Sequence, residues 1–338
     1  MSRIAVVGFA SEVVLESDGR TDAELLGPVV DRALADSGLS PAEIEVVGTA
    51  SSEFLNGVVG SVMGAFDAFP GWPPRSHSHL EADGAFALYE CWVRLMAGEG
   101  RAALVCAFSR PRGDPSTVLG LQLDPYLVAP LAPGTASLAG LQARLLIESG
   151  RYTERDFAAV ACARRGGPGL DEALQEPLTA SPLRPLDCST VCSGAGAVVL
   201  AVDELAGRSN GSPAWITGIG HLIERHHLGA RDLTQSPSTQ TLASRLGVAG
   251  SMIDVLELHA PFSHQELILR DAVGATEVAH LNPSGGALPA DPIMATGLIR
   301  IGSAAAEIMH GKVQRAVGHA TNGPCLQHNL LCLLEASP

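Results

Sequence analysis

A helix-stopping glycine followed at a fixed distance by a strand-like isoleucine occurs in both halves of this 338-residue chain. Leu34-Ala35-Asp36-Ser37-Gly38 precedes Ile44-Glu45-Val46, and Leu242-Ala243-Ser244-Arg245-Leu246-Gly247 precedes Ile253-Asp254-Val255 with the same spacing. Further along each half, Met96-Ala97-Gly98 leads into 102–107 and Met309-His310-Gly311 leads into 315–320. A repeated unit folds the same way twice, so the chain reads as two copies of one α/β unit.

Within the first copy, strand-length apolar runs alternate with longer helical patterns. Strand 3–8, helix 22–37, strand 44–49, helix 83–97 and strand 102–108 follow one another, the alternation of a layered α/β sheet. Gly38 ends helix 22–37, and Ser40-Pro41-Ala42-Glu43 then gives a capping-box-like turn into Ile44. Between the copies, about 110–183 has another character, with proline and glycine at its edges and helical patterns at 137–149 and 154–164. Thr153-Glu154-Arg155-Asp156 opens the second of these as a capping box. This segment reads as a helical lobe inserted over the first copy. Strand 195–202 completes the first sheet and 207–213 is a linker, which divides the chain into 1–206 and 207–338.

Composition excludes several classes. The net charge is -14, with one lysine (Lys312) against 21 arginines, so a clustered basic face for nucleic acid is not expected. No apolar run reaches the roughly 18 residues of a membrane span, and the chain opens on strand-like Ile4-Ala5-Val6-Val7; a cytoplasmic location is expected. The seven cysteines (91, 106, 162, 188, 192, 325, 332) contain no C-x-x-C pair and read as reduced thiols. His77-Ser78-His79 and His226-His227 lack a third ligand at recognisable spacing, so no metal site is assigned. No phosphate-loop pattern occurs either.

Asn282-Pro283-Ser284-Gly285-Gly286, followed by Ala290-Asp291-Pro292-Ile293-Met294-Ala295-Thr296-Gly297, resembles the N-x-x-G-G and G-H-P-x-G-A-T-G signature of the thiolase superfamily. The stretches 21–47, 81–98, 181–188 and 254–262, with Gly318-His319-Ala320-Thr321-Asn322-Gly323-Pro324-Cys325, extend the likeness to sterol-carrier-type thiolases. The resemblance implies a thiolase fold: two duplicated α/β units in αβαβα layers, with a helical insertion lobe.

It also implies a site in which the family's chemistry has changed. The family's nucleophilic cysteine, which sits at a helix N-terminus where orphan amides favour a thiolate, falls on Glu81 of Glu81-Ala82-Asp83-Gly84, or on Gly84 if the match slides by three residues. Asp291 stands in place of the catalytic histidine, and Thr321 in place of a second cysteine that acts as acid and base. His259, in Asp254–Phe262, keeps the family's residue type as an oxyanion donor. Glu81 reads either as a general base, coupled to Asp291, or as a helix-capping carboxylate. Cys325 reads as a thiol approaching the cavity or as a buried apolar one; His319 as a cavity residue or as an ordinary histidine near the surface. Arg164-Arg165 reads as a partner of coenzyme A phosphates or as solvated helix-end charge. The motif glycines Gly286, Gly297 and Gly323 are the expected contacts for a coenzyme A or acyl-carrier thioester, with no covalently bound cofactor.

Three functions follow. The favoured one is a non-nucleophilic thiolase-fold subunit paired with a cysteine-bearing homologue or another acyl-processing enzyme. The second is cysteine-independent retro-aldol cleavage of a β-hydroxyacyl thioester, with a small OB-fold partner, although Tyr89, Tyr126 and Tyr152 all lie outside the inferred site. The third is a homodimeric binder of acyl thioesters. A dimer through strand 74–80 is expected under each.

Overall fold

The computed structural model describes residues 2–16, 19–69, 76–167 and 169–338. Ten strands form one sheet: β1 (Ile4–Val14), β2 (Val46–Ala50), β3 (His77–Leu80), β4 (Ala102–Ser109), β5 (Ser193–Val202), β6 (Ala214–Ile223), β7 (Met252–Glu257), β8 (Glu277–Leu281), β9 (Arg315–Asn322) and β10 (His328–Glu335). Seven longer helices accompany them: α1 (Asp22–Ser37), α2 (Gly84–Met96), α3 (Thr135–Glu148), α4 (Glu154–Arg165), α5 (Pro237–Arg245), α6 (Ser263–Val273) and α7 (Thr296–Met309).

The strand order is β3-β2-β4-β5-β1-β6-β10-β9-β7-β8. Read outward from the centre, β1-β5-β4-β2-β3 and β6-β10-β9-β7-β8 have the same connectivity, and the senses agree strand for strand. β5 is antiparallel to β1 and β4, as β10 is to β6 and β9. β2 runs parallel to β3 and β4, as β7 does to β8 and β9. The two halves meet at β1 and β6 through only Ala5↔Trp215 and Val6↔Ala214.

The layers follow from which faces are apolar. α1 begins with a capping box between Thr21 and Glu24 and stops at Gly38, whose φ of 69° suits glycine. Its Leu25, Leu26, Val29 and Val30 cover the outer face of the first half. α2 and α7 share one core with residues of both halves, among them Leu88, Val105, Leu298, Ile301 and Leu330. β5, between α1 and this central layer, is therefore apolar along most of its length. α5 and α6 cover the second half through Leu242, Leu267 and Ile268, which completes the αβαβα stack. Gly247 repeats the left-handed turn of Gly38, and Gly311 that of Gly98.

The lobe corrects one expectation. Ala139, Ala143, Leu146, Phe157 and Val160 of α3 and α4 pack with Leu258, Leu267 and Leu331, so the lobe lies over the second copy, because its apolar stripe matches α6. Of the expected strand 74–80, His77–Leu80 forms at the sheet edge; 74 and 75 lie outside the described residues. Among the described residues no helix is long and apolar enough to cross a membrane.

Candidate active site

The ends of α2, β7, α7 and β9 converge on a cavity of about 160 Å³ that residues of the lobe also line. Asp83, the residue before α2, is buried. Its Oδ1 accepts from the Ala85 amide at 2.8 Å and its Oδ2 from the Gly297 amide at 2.7 Å, so one carboxylate caps two helix starts. A side chain at Gly297 would collide with Asp83 and Ala320, which is why α7 can approach only with glycine there.

His259 follows β7, on the turn into α6. Its Nδ1 accepts from the Thr321 amide at 3.4 Å, which leaves the proton on Nε2. Nε2 lies 3.9 Å from Asp291 Oδ1, and Nδ1 lies 3.8 Å from Asp83 Oδ2. Burial holds the imidazole well below its ordinary pKa, so it is neutral and neither contact is an ion pair. Asp291 Oδ1 accepts from Thr296 Oγ1 at 2.7 Å and Oδ2 from Ser189 Oγ at 2.9 Å. Burial raises the pKa of Asp291 despite these hydroxyls and Arg300. Asp83 is pushed up to about 7 by burial, with the Asp291 charge adding and its backbone amides opposing. Thr321 Oγ1 is buried without a partner in the protein.

The cavity lining thus joins three expected residues, His259, Asp291 and Thr321. Glu81 does not join them. Its side chain is 42% exposed, accepts from the Glu53 amide at 2.9 Å and sits near His79. The carboxylate at the start of α2 is instead Asp83, and it is Asp83, not Glu81, whose pKa the Asp291 charge helps to raise. The signal available was local: an aspartate directly before Gly84 and an apolar helical run is a preferred N-cap. Ser189, also unforeseen, had no comparable signal.

Gly323 lines the cavity, Gly297 reaches it through its amide to Asp83, and Gly286 is not in the lining. Cys325 forms part of the wall; its Sγ lies 3.5 Å from the Leu138 carbonyl and burial pushes the thiol up to about 11. His319 is fully buried rather than near the surface, bonded to Asn329 at 3.1 Å and outside the lining. Arg164-Arg165 is not solvated helix-end charge. Arg164 makes a two-pronged ion pair with buried Glu266 at 2.8 and 2.9 Å, and Arg165 donates to Leu186, Cys188 and Thr190. His77 and His79 both meet Thr49 Oγ1, at 2.9 and 3.0 Å.

Solved structures share this architecture along the whole chain. The human mitochondrial 3-ketoacyl-CoA thiolase in complex with CoA superposes with a TM-score of 0.77 at 15% identity, covering 100% of this chain and 98% of that one. The chain has the thiolase fold. The Ltp2-ChsH2(DUF35) aldolase superposes equally well, with a TM-score of 0.77 at 18% identity over 99% of this chain and 98% of that one.

In sequence, the chain is 25% identical to the benzoylsuccinyl-CoA thiolase subunit BbsB of Thauera aromatica over 197 residues, 49% of this chain and 51% of that protein. It is 27% identical to the beta-ketoadipyl-CoA thiolase of Pseudomonas putida over 185 residues, 49% of this chain and 45% of that protein. These likenesses span about half the length of each relative. No family model matches the chain. On the thiolase fold, the cavity at the two central helix starts carries two carboxylates and a neutral imidazole.

Proposed function

We propose that this thiolase-fold chain acts on acyl-CoA thioesters and cleaves a carbon–carbon bond in a β-hydroxyacyl thioester by acid–base chemistry, without an acyl-enzyme. The observation that carries the reading is the buried pair formed by His259 Nε2–H and the Asp291 carboxylate, 3.9 Å apart and not bonded to each other. A substrate oxygen fits within hydrogen-bond reach of either.

In this reading Asp291 takes the proton of the β-hydroxyl. The Cα–Cβ bond breaks, the β-carbon leaves as an aldehyde or ketone, and the electron pair passes into the thioester as an enolate. His259 Nε2–H and the unpartnered Thr321 hydroxyl donate to the enolate oxygen. The proton on Asp291 then goes to Cα, restoring the carboxylate. Asp291 is neutral while the enolate exists, so the base does not repel the charge it creates. Asp83, with its pKa near 7, limits the negative charge of the pair at neutral pH.

A covalent thiolase route has little support. Asp83 caps α2, and no cysteine lies in its first turn. Cys325, in the cavity wall, holds a thiol pushed up to about 11, which leaves almost no thiolate at neutral pH. The thiolase names of the sequence relatives and the aldolase among the fold relatives support acyl-CoA as the substrate class and lysis as the reaction.

A second reading, a non-catalytic partner subunit in a thiolase-fold heteromer, draws on Asp83: its carboxylate fills the helix-start amides that an oxyanion could otherwise use. The test uses the protein isolated with its companions and a β-hydroxyacyl-CoA, following carbonyl product, shortened acyl-CoA and intact mass. Equimolar products with no added mass on this chain are expected. An acyl adduct on this chain, or activity that resides wholly in a cysteine-bearing companion, overturns the lyase reading.

A further inference from the structure

Gln265 lies in the first turn of α6, is 4% exposed and lines the cavity beside Leu138 and Ala139 of the lobe. The orientation of its carboxamide is fixed by a chain of bonds that begins on the backbone. The Leu233 carbonyl can only accept, so the end of Gln142 at 2.9 Å from it is Nε2. Gln142 Oε1 therefore faces the other way, where it accepts from Gln265 Nε2 at 3.0 Å and from His264 Nε2–H at 3.1 Å. Turning the Gln265 carboxamide over would set two oxygens against each other. Gln265 thus keeps its Oε1 away from Gln142, and that buried oxygen has no hydrogen-bond partner in the protein.

The cavity that Gln265 lines is largely apolar, with Leu123, Leu138, Phe262 and Leu326 among its other lining residues. A buried acceptor without a donor is costly, and native proteins rarely keep one without a use. We propose that Gln265 Oε1 receives a hydrogen bond from a hydroxyl or amide N–H on the ligand's acyl chain, so that the cavity selects thioesters with a donor inside an otherwise apolar tail. The inference rests on the acyl-thioester reading but not on the lyase chemistry. Because Gln142 locks the carboxamide, the position accepts donors and rejects acceptors: a keto group placed there meets oxygen with oxygen.

Binding calorimetry with a saturated medium-chain acyl-CoA, its single-hydroxyl positional isomers and the matching keto isomers tests this without turnover. One hydroxyl isomer should bind roughly tenfold more tightly than the saturated chain, the scale of one neutral hydrogen bond, and its keto counterpart more weakly. Gln265→Leu should abolish that preference while retaining affinity for the saturated chain. Gln142→Met, which frees the carboxamide to turn, should bring the keto isomer level with the hydroxyl isomer. Equal affinity of the wild type for saturated and all hydroxyl isomers, or a preference that survives Gln265→Leu, overturns the proposal. If no acyl-CoA of the panel binds, the acyl-thioester reading fails with it.

Discussion

His259 Nε2 stands 3.9 Å from Asp291 Oδ1, both residues are buried, and no hydrogen bond joins them. Each is anchored from its far side: His259 through Nδ1 on the Thr321 amide, Asp291 through Ser189 and Thr296. A rigid donor and a rigid acceptor open to one cavity are the parts that acid–base catalysis on a hydroxyl substrate needs.

The rate should rise with pH and then level. Asp291 acts ionised, and burial raises its pKa, so the rising limb lies above the ordinary carboxylate range. His259 stays neutral because burial holds its pKa well below the ordinary value, and contributes no limb of its own at neutral or alkaline pH. A kcat profile from about pH 5 to 9 checks this; a rate that climbs as pH falls contradicts it.

Stability should run the opposite way. The Asp83 carboxyl is raised from 3.8 to about 7 in the folded protein. Between those values the folded state holds a proton that the unfolded chain has lost. Its contribution is therefore fully present below the unfolded pKa and is lost as pH rises through the folded pKa. The loss is at most about 4 kcal/mol, from about 1.4 kcal/mol per unit. Urea denaturation across about pH 4 to 8 should show this decline in the wild type and a smaller one in Asp83→Ser, whose hydroxyl can still cap Ala85.

His259→Phe removes the donor while filling the space. It should lower kcat by roughly 100- to 1000-fold, as loss of an oxyanion donor does, and cost about 1–3 kcal/mol because the Thr321 amide is left unpaired. Steady-state kinetics and thermal melts separate the two effects; an unchanged kcat removes His259 from the chemistry.

A chain of bonds links Arg164 of the lobe to the backbone beside His259. Glu266, the partner of Arg164, also accepts from Asn282 Nδ2 at 2.8 Å, and Asn282 Oδ1 accepts from the Leu258 amide at 2.6 Å, one residue before His259. Arg164→Met strands a buried carboxylate and should cost about 3–5 kcal/mol. A loss below about 1 kcal/mol in chemical denaturation means that the Arg164–Glu266 pair does not hold the lobe against α6.

Much of this was legible in the sequence, for local reasons. Gly38 and Gly247 end helices in both copies, and Thr153 with Asp156 starts α4, because caps and stops are written in neighbouring residues. His259, Asp291 and Thr321 lie in motif segments whose spacing survives. Glu81 misled because the motif match places it two residues before the helix cap, and its carboxylate is drawn to the amide of Glu53, 28 residues away. Arg164 could not be placed either: its partner Glu266 lies 102 residues on. The side on which the lobe packs depends on the same kind of distant contact.

Turnover of a β-hydroxyacyl-CoA by Asp291→Asn, compared with the wild type in the complex as isolated, tests the central claim most directly. Ser189 and Thr296 meet Asp291 with hydroxyls, which can turn to accept as well as donate, so the amide should fit with little change in melting temperature. The account predicts a folded protein whose kcat falls by roughly 100- to 10,000-fold, the range for removing a general base. A folded Asp291→Asn protein that releases carbonyl product at the wild-type rate would contradict it.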